Sequence, residues 1–160
     1  MRTVQPASDP IRVLLVEDHT LVRQGLRKIL ESDPQIEIAG EIGDGLRAVE
    51  LALQLRPTVT VMDIGLPGLN GIEATRRITA SLHWQRVLML SMHADRAYVH
   101  QSVKAGAKGY LLKDSEDLDL IKAVRSLAGG GSYFSPRVSS ILLAGYVSRL
   151  DRPAAGVSRQ

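Results

Sequence analysis

The chain has 160 residues, a formal net charge of +3 and no cysteine. This length suits one domain with a short appendage, and the lack of cysteine excludes disulfides, thiolate zinc sites and cysteine nucleophiles. The charge surplus lies wholly in residues 130–160, where four arginines face one aspartate; so few scattered charges favour a solvated tail over a surface for an acidic partner.

The chain opens with the polar stretch MRTVQPASDP, which lacks the apolar segment of a signal peptide. No later run approaches the roughly 18 consecutive apolar residues of a membrane span. We therefore expect a soluble, cytoplasmic protein with no membrane partner.

Five apolar runs bounded by turn-forming residues predict five strands that are buried on both faces of a sheet. In chain order they cover residues 11–18, 36–42, 58–63, 86–92 and 109–113. Helical spacing of apolar residues follows each run, and after the fourth it is formed by Ala97, Tyr98 and Val103. This alternation predicts an α/β fold, a doubly wound parallel sheet of five strands with helices on both faces.

Three successive glycines, residues 129–131, predict a flexible stop after the last of these helices. Residues 136–150 then carry apolar side chains at helical spacing and predict an extra amphipathic helix. We expect four regions: a disordered N-terminus 1–10, a main domain 11–128, a Gly-rich hinge with a helix 129–150, and a flexible tail 151–160. The extra helix could pack on its own domain or pair with another chain, where Ile141, Leu142 and Tyr146 would form an apolar patch.

Polar side chains end four of the five predicted strands. Glu17 and Asp18 end the first strand, Asp63 the third, Ser91 the fourth and Lys113 the fifth. Ligands of a doubly wound sheet bind outside the carboxyl ends of its strands. We therefore expect these five side chains to meet at one edge, with the acid that ends the second strand a little apart.

The chemistry of these side chains suits phosphoryl transfer. Three carboxylates within a few ångströms repel one another by about 1–4 kcal/mol per pair unless a cation offsets the cost. Oxygen ligands favour Mg²⁺, which together with the Lys113 ammonium would bring the formal charge to zero. Such a site can neutralise phosphoryl oxygens while a carboxylate attacks in line. Asp63 is the best nucleophile candidate, because Gly65 and Gly68 in the turn behind it leave the backbone open to approach.

Each of these residues also has an ordinary structural interpretation. Asp18 could cap a helix that begins near Thr20, Ser91 could be a turn hydroxyl, and Lys113 could be a solvated lysine. Their joint placement at strand ends favours the site over these separate roles. The four histidines show no metal-ligand spacing and are interpreted as non-ligands: His19, His83, His93 and His100.

Four motifs in order resemble the receiver domain of bacterial two-component response regulators: VLLVEDHTLVRQGL, VMDIGLPGLNGIEATRRI, LSMHAD and AGAKGYLLKDS. The resemblance covers residues 11–128 and implies the flavodoxin-like receiver fold. The sequence departs from it after Lys113, where Asp114 and Ser115 replace the proline that is common in receivers. The segment GGGSYFSPRVSSILLAGY resembles the linker helix of the LuxR/NarL (FixJ) class of transcription regulators. Because the chain ends at Gln160, where their helix-turn-helix domain would begin, we expect DNA binding only through that missing domain.

The resemblance implies a role for each position of the site. Asp63 would be phosphorylated by a sensor histidine kinase, with Mg²⁺ held by Asp18, Asp63 and the Gly65 carbonyl and by Glu17 partly through water. Ser91 and Lys113 would contact the phosphoryl oxygens.

Three further positions would act on the switch and on the phosphate lifetime. Tyr110 would be the aromatic switch that turns inward when Ser91 is drawn to the phosphate, although it could also be a half-buried strand tyrosine. Gly65 and His93 would tune how fast the phosphate is lost, with the direction of the effect open.

The expected function is a phosphorylation-dependent response regulator, which assists its own phosphoryl transfer and loss but is not otherwise an enzyme. Phosphorylation would control dimerisation and the DNA-binding domain. The alternative is a degenerate receiver that binds partners without phosphorylation. An Asp-nucleophile phosphatase is disfavoured because Glu17-Asp18-His19-Thr20 lacks the Asp-x-Asp pair, and nucleotide binding is disfavoured because no glycine-rich phosphate loop follows the first strand.

Overall fold

The computed structural model describes residues 9–113 and 119–151. Strands and helices alternate along the chain in the order β1 Ile11–Val16, α1 Thr20–Glu31, β2 Ile36–Ile42, α2 Gly45–Leu55, β3 Val59–Asp63, α3 Gly71–Ser81, β4 Val87–Ser91, α4 Arg96–Lys104, β5 Gly109–Leu112, α5 Leu120–Ala128, β6 Tyr133–Phe134 and α6 Pro136–Asp151. Most of the predicted N-terminus 1–10 and tail 151–160 lie outside the described residues, as do Asp114 and Ser115. None of the helices within the described ranges is long and apolar enough to cross a membrane.

All strand pairs of the sheet are parallel, in the order β2-β1-β3-β4-β5-β6. The chain steps from β1 to β2 on one side and then returns to the other side of β1 with β3, so strand order reverses between β1 and β3. In this fold class that reversal is where ligands bind. Val16 pairs with Met62, which brings the residues after β1 next to the end of β3.

Helices cover both faces of the sheet, as predicted. Strand residues alternate between the two faces: Val13 and Leu15 of β1 pack with α1 and α5, whereas Leu14 and Val16 pack with α2, α3 and α4. The inner strands β3, β4 and β5 are buried along their whole length, which explains why they are continuous apolar runs. Burial on both faces leaves the strand ends as the place for polar groups.

The sheet has six strands, so the prediction of five was one short. The missed strand, β6, lies in the segment that was predicted to be only a hinge. Gly130 adopts φ 93°, a left-handed conformation that favours glycine, and the chain then turns back along the free edge of β5. Tyr133 N donates to Lys108 O at 3.2 Å, and Ser135 N donates to Tyr110 O at 3.0 Å. Two residues are too few for a periodic signal, and only the neighbouring edge makes them a strand.

Helix α6 packs on its own domain, against α4. Val138 is fully buried, while Ile141 and Leu142 are half-buried against the core. A Cβ at Gly145 would lie 2.5 Å from Cε1 of His100, so the lack of a side chain there lets the two helices approach. The predicted apolar patch is therefore wrong for the first two of its three members. The large apolar side chains of α6 that are exposed are Leu143, Tyr146, Val147 and Leu150.

Helix α4 forms where the spacing predicted a helix, but the apolar residues of that spacing do not form its buried face. Val99 and Ser102 are the buried residues of this helix, whereas Tyr98 and Val103 are about two-fifths exposed and Ala97 is exposed. Asp95 caps the helix, accepting hydrogen bonds from the amides of residues 97 and 98. This cap fixes where α4 begins. The contacts of the helix with the sheet and with α6 then determine which of its faces is buried, because the apolar spacing is too weak to do so.

A bidentate ion pair ties α5 to the turn after α1. Arg125 donates from Nε to Asp33 Oδ2 at 2.7 Å and from Nη2 to Oδ1 at 2.8 Å. These hydrogen bonds, with one from the Gln35 amide, hold the pKa of Asp33 below its ordinary value of 3.8. A carboxyl with a depressed folded pKa adds stability above its unfolded pKa and loses that stability as the pH falls through the folded pKa.

We expect Asp33→Asn to lower the free energy of unfolding at neutral pH, with the difference from wild type shrinking as the pH falls below 3.8 and disappearing below the folded pKa of Asp33. Urea denaturation across a pH series measures this difference. In an Arg125→Met background the same Asp33→Asn change is expected to have a much smaller effect, because the partner is gone. Equal losses in both backgrounds would contradict the assigned pairing.

Candidate functional site

The site lies at the carboxyl ends of β1, β3, β4 and β5. Glu17 directly follows β1, Asp63 is the last residue of β3, Ser91 is the last residue of β4, and Lys113 directly follows β5. The register places Asp63 beside Leu90, one residue before Ser91. The predicted placement of these side chains at one edge of the sheet is therefore what the fold shows.

Three carboxylates and one imidazole converge at this edge. One ligand-type atom from each of Glu17, Asp18, His19 and Asp63 lies within 4.8 Å of the others. Glu17 is fully buried and Asp63 is 5% exposed. Glu41, which was expected to lie a little apart, is not a member of this cluster and pairs with Arg23 and Arg27.

Asp18 does not cap the helix that follows it. The N-cap of α1 is His19, and no side chain makes a capping hydrogen bond there, so the structural interpretation of Asp18 as a cap is wrong. Its Oδ1 is buried and has no hydrogen-bond partner among the residues that the structure describes. An acceptor in that condition costs free energy and is suited to a cation.

Lys113 is buried within the acid cluster and is not a solvated lysine. Its side chain is 11% exposed, and its Nζ lies 2.5 Å from Glu17 Oε1 and 3.0 Å from Asp63 Oδ1. Burial by itself would lower the pKa of Lys113, but the two carboxylates outweigh it and raise that pKa above its ordinary value. The ammonium is therefore charged at neutral pH and offsets part of the negative charge.

For the pKa of Asp63, burial outweighs the opposite effect of the Lys113 ammonium. Desolvation raises the pKa of this carboxyl above its ordinary value, and Glu17 adds to the rise, while Lys113 and the Gly65 amide act in the opposite direction. One ammonium shared between two acids thus leaves the ionised form of Asp63 incompletely stabilised. With Asp18 also ionised, the formal charge of the three acids and Lys113 is −2.

The donor set fits the predicted Mg²⁺ ion. Hard carboxylate oxygens, a buried Asp18 Oδ1 without a partner and a formal charge of −2 are the features that a hard divalent cation neutralises. Gly65 is exposed, its amide lies 3.4 Å from Asp63 Oδ1, and a Cβ added there would meet no atom within 4 Å. This side of Asp63 is open to an incoming group. That the Gly65 carbonyl is a ligand stays a prediction.

Ser91, His93 and Tyr110 form a connected group beside the acids. Ser91 is 5% exposed and its Oγ accepts a hydrogen bond from the His93 amide at 3.1 Å, the contact of a turn hydroxyl. Tyr110 is fully buried and its hydroxyl donates to the His93 carbonyl at 3.0 Å. The alternative of a half-buried strand tyrosine is therefore wrong, and the ring points inward under the loop between β4 and α4. The side chain of His93 is exposed.

His19 is the site residue that sequence reasoning missed. Its Nδ1 lies 3.2 Å from Glu17 Oε2 and 3.3 Å from Asp18 Oδ1. Spacing to other histidines was the wrong criterion, because the neighbouring ligands are carboxylates from the same strand end. The available signal was its position directly after two acids at the end of a predicted strand.

The turn behind Asp63 depends on a glycine at the start of α3. A Cβ at Gly71 would lie 2.0 Å from the Asp63 carbonyl oxygen, and the Gly71 amide donates to Ile64 O at 2.9 Å. We expect Gly71→Ala to shift this turn and to lower the free energy of unfolding by about 1–3 kcal/mol, as overpacking does.

Gly25 in α1 is the matched control, because a Cβ there meets no atom within 4 Å. Gly25→Ala is expected to raise the free energy of unfolding by about 0.5–1 kcal/mol through helix propensity. Chemical denaturation of both variants measures the two effects. A Gly71→Ala protein as stable as wild type would show that the turn relaxes without cost.

Comparison with known proteins places this arrangement in context. The family model described as "Response regulator receiver domain" matches residues 13–125. The transcriptional regulatory protein DegU of Brevibacillus brevis is 40% identical over 142 residues, which are 89% of this chain and 60% of DegU. The transcriptional regulatory protein MctR of Rhizobium johnstonii is 42% identical over 143 residues, covering 89% of this chain and 67% of MctR. The chain thus spans about two thirds or less of the length of these relatives.

Solved structures of response regulators are also similar to this chain. A LuxR-family two-component response regulator from Aurantimonas has 34% sequence identity and a TM-score of 0.82, with 87% of this chain and 99% of that chain covered. The isolated receiver domain of RcsB from Salmonella enterica, solved with the phosphomimetic BeF3⁻, has 25% identity and a TM-score of 0.76, with coverage of 83% and 99%.

Proposed function

This chain belongs to the response regulator receiver domain family, and from that premise we propose that it accepts a phosphoryl group on Asp63. Its relatives are LuxR-family and NarL-type response regulators. The observation that carries the proposal is the pairing of Asp63 with Lys113 at 3.0 Å, beside two further carboxylates and an open Gly65. A nucleophile, a positively charged ammonium group and open space for a ligand thus occur together.

The transfer uses the groups already in place. A carboxylate oxygen of Asp63 attacks phosphorus in line, the new P–O bond forms, and the bond to the donor's leaving atom breaks with its electron pair going to that atom. Lys113 stabilises the negative charge of the phosphoryl oxygens, because its Nζ is within reach of the acceptor. Asp18, Asp63 and Glu17 would hold Mg²⁺, which would neutralise the same oxygens.

Phosphorylation acts through Ser91 and Tyr110. The Ser91 hydroxyl is engaged by the His93 amide, and the Tyr110 hydroxyl by the carbonyl of the same residue. A phosphoryl group that draws Ser91 toward it therefore stabilises one arrangement of the loop between β4 and α4. Shifting a two-state equilibrium from 1:99 to 99:1 needs about 5.5 kcal/mol, which a few charge-assisted hydrogen bonds at about 1.5–3 kcal/mol each can supply.

The proposed partners follow from the family. The phosphoryl donor is a sensor histidine kinase, and the phosphorylated state favours a homodimer. Transcription control then requires a DNA-binding domain; RcsB, a structural neighbour with 26% identity, has been solved bound to a promoter with BeF3⁻ present. Apart from its own phosphoryl transfer and phosphate loss, the domain catalyses no reaction.

Intact-mass measurement of the chain after incubation with Mg²⁺ and a small acyl phosphate tests the proposal. The expected result is the mass gain of one phosphoryl group, located on Asp63 by peptide mapping and absent when a chelator removes the metal. No gain with Mg²⁺ and excess donor would overturn the proposal. The degenerate receiver, which binds partners without phosphorylation, would then be the better description.

A further inference from the structure

We propose that His19 is an additional metal ligand and makes this site favour a transition-metal ion such as Mn²⁺ over Mg²⁺. The inference deepens the proposed function, because it rests on the same cation site. Nothing about the phosphoryl acceptor requires a nitrogen ligand, since the three carboxylates already fit Mg²⁺. The proposal comes from the position of the imidazole.

The distances around Nδ1 of His19 resemble those between neighbouring ligands of one ion. In an octahedral site with metal–ligand bonds of about 2.0–2.1 Å, adjacent ligand atoms are about 2.9 Å apart. Nδ1 lies 3.2 Å from Glu17 Oε2 and 3.3 Å from Asp18 Oδ1. One carboxylate oxygen of Asp63 is also within 4.8 Å of Nδ1. The four atoms are therefore near enough to one another to be considered as ligands of one cation.

The two sides of the acid cluster are occupied differently. Lys113 covers Glu17 Oε1 and the Asp63 carboxylate on one side. On the other side His19 lies over Glu17 Oε2 and the unpartnered Asp18 Oδ1. The imidazole is 71% exposed, so a cation that arrives from solvent meets it together with Asp18 Oδ1, which has no hydrogen-bond partner within the described ranges.

The backbone of His19 is held in place for this role. Its amide donates to Glu17 Oε2 at 3.1 Å, and the residue is the N-cap of α1. The ring is thus attached to a fixed point beside the carboxylates while its exposed side keeps the freedom to adjust. A ligand that is already near its position loses little conformational entropy on binding.

A nitrogen ligand changes which ion is preferred. Mn²⁺ is the lowest member of the Irving–Williams order and binds carboxylate oxygens as Mg²⁺ does, but as a first-row transition ion it gains more from an imidazole ligand than Mg²⁺ does. Mg²⁺ takes oxygen ligands and keeps several waters, so it gains little from His19. Removal of the imidazole is therefore expected to weaken Mn²⁺ binding and to leave Mg²⁺ binding unchanged.

Calorimetric titration of the full chain with Mn²⁺ and with Mg²⁺, without any phosphoryl donor, measures this difference. We expect His19→Ala to weaken Mn²⁺ binding by about tenfold or more and to leave Mg²⁺ affinity unaltered. His83→Ala is the control, since His83 is exposed in the loop between α3 and β4, at the opposite edge of the sheet. In pulsed EPR, wild type loaded with Mn²⁺ is expected to show coupling to nitrogen that is lost in His19→Ala.

Equal effects of His19→Ala on the two ions, or wild-type Mn²⁺ without nitrogen coupling, would overturn the proposal. His19 would then be only a hydrogen-bond donor to Glu17. The proposed function would stand in that case, provided that Asp63 is still phosphorylated with Mg²⁺. If neither ion bound the wild type, the metal ligation of both proposals would fail together.

Discussion

Asp63→Asn is expected to take up no phosphoryl group from an acyl phosphate, under conditions where wild type gains one. The amide that replaces the carboxylate is not a nucleophile at neutral pH, and neither Glu17 nor Asp18 can replace it. Glu17 is fully buried and is bound through Oε1 to Lys113 and through Oε2 to His19. Asp18 lacks the contact with Lys113 that Asp63 has, since the ion pairs of Lys113 among the described residues are with Glu17 and Asp63. Intact mass of both proteins after the same incubation measures the effect.

The same variant is expected to be more stable than wild type in metal-free buffer at neutral pH. Burial raises the pKa of Asp63 in the folded state, and such a group contributes stability that is present below the unfolded pKa and is lost as the pH rises through the folded pKa. Asparagine does not titrate, so the variant does not lose stability in this way as the pH rises. The difference in free energy of unfolding should therefore shrink as the pH falls toward 3.8, the ordinary value.

Mg²⁺ provides the counter-test for Asp63→Asn. Ligand binding to the folded state stabilises it, so the wild-type free energy of unfolding should rise with Mg²⁺ concentration while that of the variant rises less. A variant that is less stable than wild type without metal would show that Lys113 outweighs burial at this carboxyl. Retained phosphorylation would instead place the acceptor elsewhere.

Lys113→Met is expected to lower the free energy of unfolding in metal-free buffer by about 3–5 kcal/mol, the cost of removing one partner from a buried ion pair. Glu17, which is fully buried, loses the ammonium at 2.5 Å, and Asp63 loses it at 3.0 Å. The formal charge of the site falls from −2 to −3. Methionine keeps most of the apolar length of the side chain, so the effect reports mainly on charge.

Two further observations make this prediction specific to the site. Mg²⁺ should recover part of the lost stability by neutralising the same carboxylates, and phosphorylation of Asp63 should slow because the phosphoryl oxygens lose a cation. Lys104→Met is the matched control, as Lys104 is an exposed lysine in the last turn of α4. Urea denaturation with and without Mg²⁺ measures the difference. Similar losses from both lysine variants would mean that the pairing contributes nothing.

The sequence itself determined the order of elements and the chemistry at the strand ends. Apolar runs that end in Asp63 or Ser91 can be placed in only one way in a parallel sheet, because a buried strand has no position for a polar group except its end. Since such ends meet at one edge, the strand-end residues of the site could be named from their positions, whereas the roles of Gly65, Tyr110 and His93 came only from the family resemblance. The sequence pattern did not predict that Lys113 pairs with Glu17, because that contact depends on side-chain geometry.

Tertiary structure decided the features that short or weak signals leave open. The two residues of β6 become a strand only because the edge of β5 is free, and the buried face of α4 is set by what packs on it, including Gly145 of α6 against His100. Likewise His19 resembles an ordinary surface histidine until the structure shows that one ring nitrogen, Nδ1, lies close to both Asp18 and Glu17. The pattern of apolar residues along a chain indicates which residues are buried, whereas contacts between distant segments determine which neighbours those residues have.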